Sequence, residues 1–274
     1  MLKSNQVEEK KYSPEHIQYL KYMKRKNTMV QLSQIALLVL ILFLWELSAN
    51  LNWIDPFFIS KPSAIMNLIN QFIKDGSLLL HTSISVYEVL MGFVIGTILG
   101  TLIAILLWSS EFAAKVLYPY LVVLNALPKI ALGPIIIIWA GAGTSGIIVT
   151  ALSISLIVTI MATFNGFKEV DEEKIKMLQT FGANKFQILQ KVVLPATIPT
   201  MINTMKINIG MSWVGVIVGE FLVSKAGLGY LIVYGGQVFR LDIVMAGVIV
   251  LSIATVIMYK LISILENTLL KWRQ

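Results

Sequence analysis

Long apolar stretches separated by short polar ones dominate this chain: positions 29–49, 86–108, 116–140, 147–164, 198–223 and 243–265 are almost wholly apolar. A helix needs about 20 such residues to cross the hydrocarbon core of a bilayer. The pattern therefore predicts an all-α integral membrane protein of about six transmembrane helices. The spans and their loops fill residues 29–274, enough for one membrane domain. Residues 1–28 are polar and form a separate region, expected as a cytoplasmic tail with an interfacial helix over 14–26.

One polar interruption is long. Between the fourth and fifth spans, residues about 168–195 run through EVDEEKIKMLQTFGANKFQILQKVVLP, which reads as two short helices and a turn. Asp171 is placed to cap the first, with Glu172 and Glu173 where the helix dipole favours acids. Gly182 breaks the run, and Asn184 with Gln187 forms an asparagine version of the capping box for the second. Ile175, Leu178, Gly182, Phe186, Leu189 and Val193 recur at helical spacing. The predicted apolar stripe needs a cover, and two are open: a partner protein, or the membrane surface under an ordinary amphipathic interfacial helix.

Inside the spans, Gly92, Gly96, Gly100 and Ala104 form a ladder of small residues, and Gly215 and Gly219 repeat the device. In lipid such ladders let two helix backbones approach, here expected within one subunit. The third span contains Pro128, Gly133 and Pro134, so a kinked helix is expected there. Lys129 lies within it, and an ionisable group at membrane depth is a candidate functional residue. Two roles are open for Lys129: lining an anion path, or pairing with Glu88. Other acids at depth are Glu46, Glu220 and Glu266.

Composition agrees with the pattern, at 57% hydrophobic and only 14% charged residues against about 25% charged in soluble domains. The net charge of +7 is explained by its distribution, which leaves no nucleic-acid role. With the N-terminus inside, Lys3, Lys10, Lys11, Lys21, Lys24, Arg25, Lys26, Lys115, Lys168, Lys174, Lys176, Lys185, Lys191, Lys271 and Arg273 fall on the cytoplasmic side. Only Lys61, Lys74, Lys225 and Arg240 fall outside, which is the positive-inside rule. Both termini and the long loop are thus expected in the cytoplasm. The first apolar run is too long, and lacks the cleavage site, for a secretory signal.

Catalytic chemistry finds no footing in the sequence. There is no cysteine, no phosphate-binding loop of the Gly-x-x-x-x-Gly-Lys-Ser/Thr type, and no nucleophile triad. His16 and His81 are expected on opposite membrane faces as solvated side chains. No cofactor or metal site is expected in this chain, and energy for uphill transport would have to come from a partner.

The long loop resembles the cytoplasmic EAA loop of bacterial ABC-importer permeases. Gly182 and Val193-Leu194-Pro195 fit its register, whereas Lys176, Met177 and Leu178 replace Glu-Ala-Ala. ALPKIALGPIIIIWAGAG (126–143), NTMKINIGMSWVGVIVGEF (203–221) and Gly227-Leu228-Gly229-Tyr230 resemble stretches of the nitrate/sulfonate/taurine branch. So do Trp45-Glu46 and Ser60-Lys61-Pro62-Ser63, and the likeness covers about 30–268. The resemblance implies a permease paired with a second copy, a cytoplasmic ATPase dimer carrying ATP and Mg, and an extracytoplasmic substrate-binding protein. It implies ATPase coupling through Lys176, Leu178, Gly182, Ala183, Phe186 and Leu189. A translocation path is expected beside Lys129, Trp139, Asn208, Trp213 and Glu220, with Glu220 either near ligand or capping the Gly-rich turn. Lys206 and Glu220 are too far apart to pair, roughly 21 Å along one helix. The cargo implied is a small sulfonate-, nitrate- or taurine-like anion. Alternatives are a vitamin precursor, a secondary transporter using Lys129 or Glu220, and a structural or signalling subunit.

Overall fold

A computed structural model describes residues 13–270. Lys3, Lys10, Lys11, Lys271 and Arg273, assigned to the cytoplasm above, lie outside the described residues. The chain divides into two compact units, Met1–Ala64 and Ile65–Gln274. Among the described residues all regular structure is helical.

The first unit is built on α1, Pro14–Asn50. Ser13 caps it through the amide of His16, and Pro14 opens its first turn. Its 37 residues extend about 55 Å, well beyond the roughly 30 Å of a bilayer core. The expected interfacial helix over 14–26 is thus the leading part of the first span, with no break near residue 28. Downstream come a short α2, Pro56–Ile59, and the start of α3, Pro62–Lys74. The Trp45-Glu46 pair organises this turn. Trp45 Nε1 donates to the Ser60 carbonyl at 3.2 Å, and Glu46 accepts from the Ser63 amide at 3.0 Å and its hydroxyl at 2.8 Å. Two motifs that looked independent in sequence are one structure, a carboxylate at the N-terminus of α3.

The second unit holds α4 (Ser77–Ser109), α5 (Glu111–Ala126), a 3-10 turn (Lys129–Leu132), α6 (Gly133–Ala140), α7 (Thr144–Lys168), α8 (Glu172–Thr180), α9 (Lys185–Ile188), α10 (Leu194–Val223), α11 (Leu228–Gln237) and α12 (Leu241–Leu269). α7 is central, packed along both α4 and α10. Small residues allow it. Gly92, Gly96 and Gly100 of α4 face Ala151, Ser155 and Thr159 of α7, while Gly215 and Gly219 of α10 face Ala151 and Ile147. Any side chain at Gly215 would strike the Ala151 backbone. Both ladders therefore pack within the subunit, as expected.

Five described helices are long and apolar enough to span a membrane, and the count is six where the pair α5 and Lys129–Ala140, bent by 89°, is taken as one broken span. The break falls at Leu127 and Pro128. Pro119 lies inside α5, and Pro134 occupies the first turn of α6, where its missing N–H costs nothing. The expected kink is thus a sharp break at one proline.

Candidate functional site

The long loop is organised by its polar residues. The Asp171 carboxylate accepts from the Glu173 amide at 2.9 Å, starting α8. Gly182 takes φ +78°, the left-handed conformation that glycine adopts without strain. Asn184 and Gln187 then exchange two bonds of 2.9 Å, completing the capping box. The second helix is not a separate element. α9 runs through a π-helical turn, Leu189–Val193, directly into α10.

This continuity divides the predicted stripe. Ile188, Leu189 and Val193 are buried in a cluster with Ala104, Leu107, Ile160, Phe164 and Phe167. Leu189, at 6% exposure, is an anchor rather than a free contact for a partner, which corrects its assignment to ATPase coupling. Ile175, Leu178 and Ala183 pack partly against the same cluster. Lys185 adds a polar tether, donating to the Ser109 carbonyl at 3.2 Å.

What remains uncovered is Phe181 at 81%, Phe186 at 69% and Met177 at 53% exposure. Sequence reasoning found Phe186 and missed the other two. Their signal was the i, i+4 spacing of Met177 and Phe181, alongside the chosen stripe. Lys176 is exposed and paired with Glu172 at 3.2 Å. The loop thus presents an aromatic and thioether face while its opposite face is bolted to the ends of the spans. The buried face packs against residues of α4 and α7 and continues into α10.

The five candidate path residues differ in burial and partners. Lys129 is half-buried and donates to Asn125 at 2.9 Å, so its partner is not Glu88. Trp139 is exposed, whereas Asn208 is buried and donates to Thr97 at 2.8 Å. Trp213 is buried, with its indole N–H unsatisfied.

Glu220 is buried at 1% exposure and caps the Gly-rich turn. Its carboxylate accepts from the Ser85 hydroxyl and the Gly229 amide, both at 2.5 Å, and Ser85 accepts in turn from the Leu228 amide at 2.7 Å. The adjoining Gly227 amide donates to His81 Nδ1 at 3.0 Å, and the His81 ring stacks on Tyr230. His81 is therefore a structural acceptor and not the solvated side chain expected. A Cβ at Gly227 or Gly229 would run into the Glu220 carboxylate, which accounts for both glycines of the motif. Glu88 lies against Glu220 and Thr144, a contact that sequence reasoning did not suggest. Lys206 pairs with Glu266 at 2.6 Å, joining α10 to α12.

The chain is similar to a family of known transport proteins. Residues 92–272 match the family described as binding-protein-dependent transport system inner membrane component. The chain is 31% identical over 234 residues to the putative aliphatic sulfonates transport permease protein SsuC of Bacillus subtilis, covering 85% of this chain and 84% of that one. It is 27% identical over 263 residues to the taurine transport system permease protein TauC of Escherichia coli, covering 94% and 95%. The formylaminopyrimidine transport permease protein ThiX of Halalkalibacterium halodurans is 28% identical over 238 residues, covering 86% and 94%. Among solved structures, an inward-facing form of the MetNI methionine ABC transporter matches with a TM-score of 0.57 at 20% identity, covering 72% of this chain and 94% of that one. That likeness concerns the fold.

Proposed function

We propose a working arrangement for this chain, which belongs to the binding-protein-dependent transport system inner membrane component family and is a multi-pass ABC-importer permease subunit. Two copies pair in the bacterial cell membrane with both termini in the cytoplasm. A cytoplasmic ATPase dimer holding ATP and Mg docks on the loop through Met177, Phe181 and Phe186, and an extracytoplasmic binding protein delivers the solute. ATP-driven closure of the ATPase pair pushes α8, and the Ile188–Val193 anchor carries the motion into the spans. The permeases then alternate between inward and outward access.

The observation carrying this reading is the two-faced loop, with exposed aromatics on one side and a buried anchor on the other. Relatives named for sulfonates and taurine support a small organic sulfonate as cargo. The ThiX likeness supports a second reading, a vitamin precursor. Lys129, free of any carboxylate partner among the described residues, suits an anion better than a cation.

The test is uptake of radiolabelled taurine, an alkanesulfonate and a formylaminopyrimidine by cells expressing the complete transporter. Vanadate-sensitive, uncoupler-insensitive uptake of a sulfonate supports the proposal. Uptake confined to the formylaminopyrimidine moves the cargo to the second reading, and collapse with an uncoupler contradicts the ATP-driven mechanism.

A further inference from the structure

At the loop-side ends of α4, α5 and α7 lies a cavity of about 410 Å³. Leu107, Pro119 and Phe164 make it apolar, Trp108 and Tyr118 flank it, and Lys115 and Lys168 stand at its rim. Lys168 Nζ lies 5.6 Å from the centre of the Phe164 ring and has no carboxylate partner among the described residues. Lys115 is paired with Glu111 at 2.8 Å, both side chains being exposed, a kind of pair worth little in water. Lys185, bonded to the Ser109 carbonyl, lies close enough to act on Glu111 as well. Two ammonium groups, Lys115 and Lys185, thus act on the Glu111 carboxylate, while Lys168 lines the same apolar cavity over Phe164.

Tryptophan and tyrosine settle at the headgroup level of a bilayer, which puts this mouth at the membrane surface. A soluble anion would satisfy the ammonium groups and leave the apolar wall wet. A neutral lipid would cover the wall and leave excess positive charge. An anionic amphiphile does both, and the cytoplasmic leaflet is where anionic lipids attract basic side chains. We propose that the cavity is a site for one anionic phospholipid, its phosphate on Lys168 and its glycerol and first acyl carbons against Phe164, Leu107 and Pro119. Phe164 and Leu107 also belong to the cluster that anchors Leu189 and Val193. A bound lipid therefore touches the side chains that hold the loop, a consequence that rests on the loop's proposed coupling role, whereas the lipid site does not.

The test uses the full-length chain in phosphatidylcholine vesicles doped with brominated phosphatidylglycerol or brominated phosphatidylcholine. The chain has six tryptophans, so the Trp108 signal is taken as the difference between the wild-type chain and Trp108→Phe. One added ammonium contact predicts about fivefold stronger Trp108-dependent quenching by the anionic lipid. Lys168→Gln should abolish that preference and Lys168→Arg should keep it. Equal quenching by the two lipids, or a preference that survives Lys168→Gln, overturns the proposal. Loss of the preference on adding excess inorganic phosphate also overturns it, because the site is then one for a soluble anion. Should Lys168→Gln fail to insert, the wild-type comparison of the two lipids still decides.

Discussion

Glu220 illustrates how much one buried side chain can organise. Of the two roles expected for it, near ligand or capping the Gly-rich turn, the structure shows the cap, and its carboxylate holds α4 to the start of α11 through Ser85 and the Gly229 amide. Glu220→Ala would strand at least one buried donor, at about 1–3 kcal/mol each. The expected outcome is a lower melting temperature and reduced membrane abundance. Glu88→Gln, by contrast, places an amide donor beside Glu220 and should leave abundance unchanged; a loss equal to that of Glu220→Ala would show that the contact has been misjudged. Lys129 belongs to the same scale. With Asn125 as its hydrogen-bond partner, Lys129→Met should leave abundance normal and reduce uptake if Lys129 lines the path. Normal uptake by that variant would remove Lys129 from the path. The cap of the Gly-rich turn by Glu220 was one of two roles legible in the sequence, but its contacts with Ser85 and Glu88 were not. Glu88 and Glu220 meet because α4 and α10 share α7 as a packing surface, and the rotation of each helix about its own axis is decided by that packing.

At the scale of elements, local chemistry was readable. Asp171, Gly182, Asn184 and Gln187 act within a few residues of themselves, so the caps and the turn followed from their order. The apolar stripe failed at Leu189 for a definite reason. Helical phase is not carried across the left-handed turn at Gly182, so residues on its two sides need not share a face. The π-helical turn at Leu189–Val193 further alters the phase leading into α10. Two predictions separate the faces. Phe181→Asp and Phe186→Asp should leave the permease in the membrane and weaken ATPase binding, each by about 1.5–3 kcal/mol for a fully buried side chain, as read by co-purification or titration. Leu189→Asp should instead destabilise the permease itself, lowering its abundance before any partner is added. Gly182→Leu acts differently again. No atom lies within 4 Å of where a Cβ would be built, so the penalty is conformational, about 1–2 kcal/mol for a left-handed residue. The expected phenotype is a distorted loop and uncoupled transport at normal abundance.

For the whole molecule, hydropathy alone gave the membrane class and the approximate span count, because each span is long and uniform enough to need no partner for its recognition. The break in the third span was visible as Pro128, but its 89° bend was not, since backbone sterics say that a helix ends and not where the next one points. The family match settles the choice between an ABC permease and a secondary transporter that the residues left open. On the arrangement proposed above, Met177, Phe181 and Phe186 are the surface through which ATP hydrolysis elsewhere drives this chain. The most direct measurement is ATP hydrolysis in vesicles holding the permease with its ATPase subunit, with the Phe181→Asp/Phe186→Asp double variant beside it. The account predicts no hydrolysis by the permease alone, transport-linked hydrolysis on adding the ATPase, and loss of that linkage in the double variant at equal permease abundance. Hydrolysis by the isolated permease, or full linkage in the double variant, would contradict it.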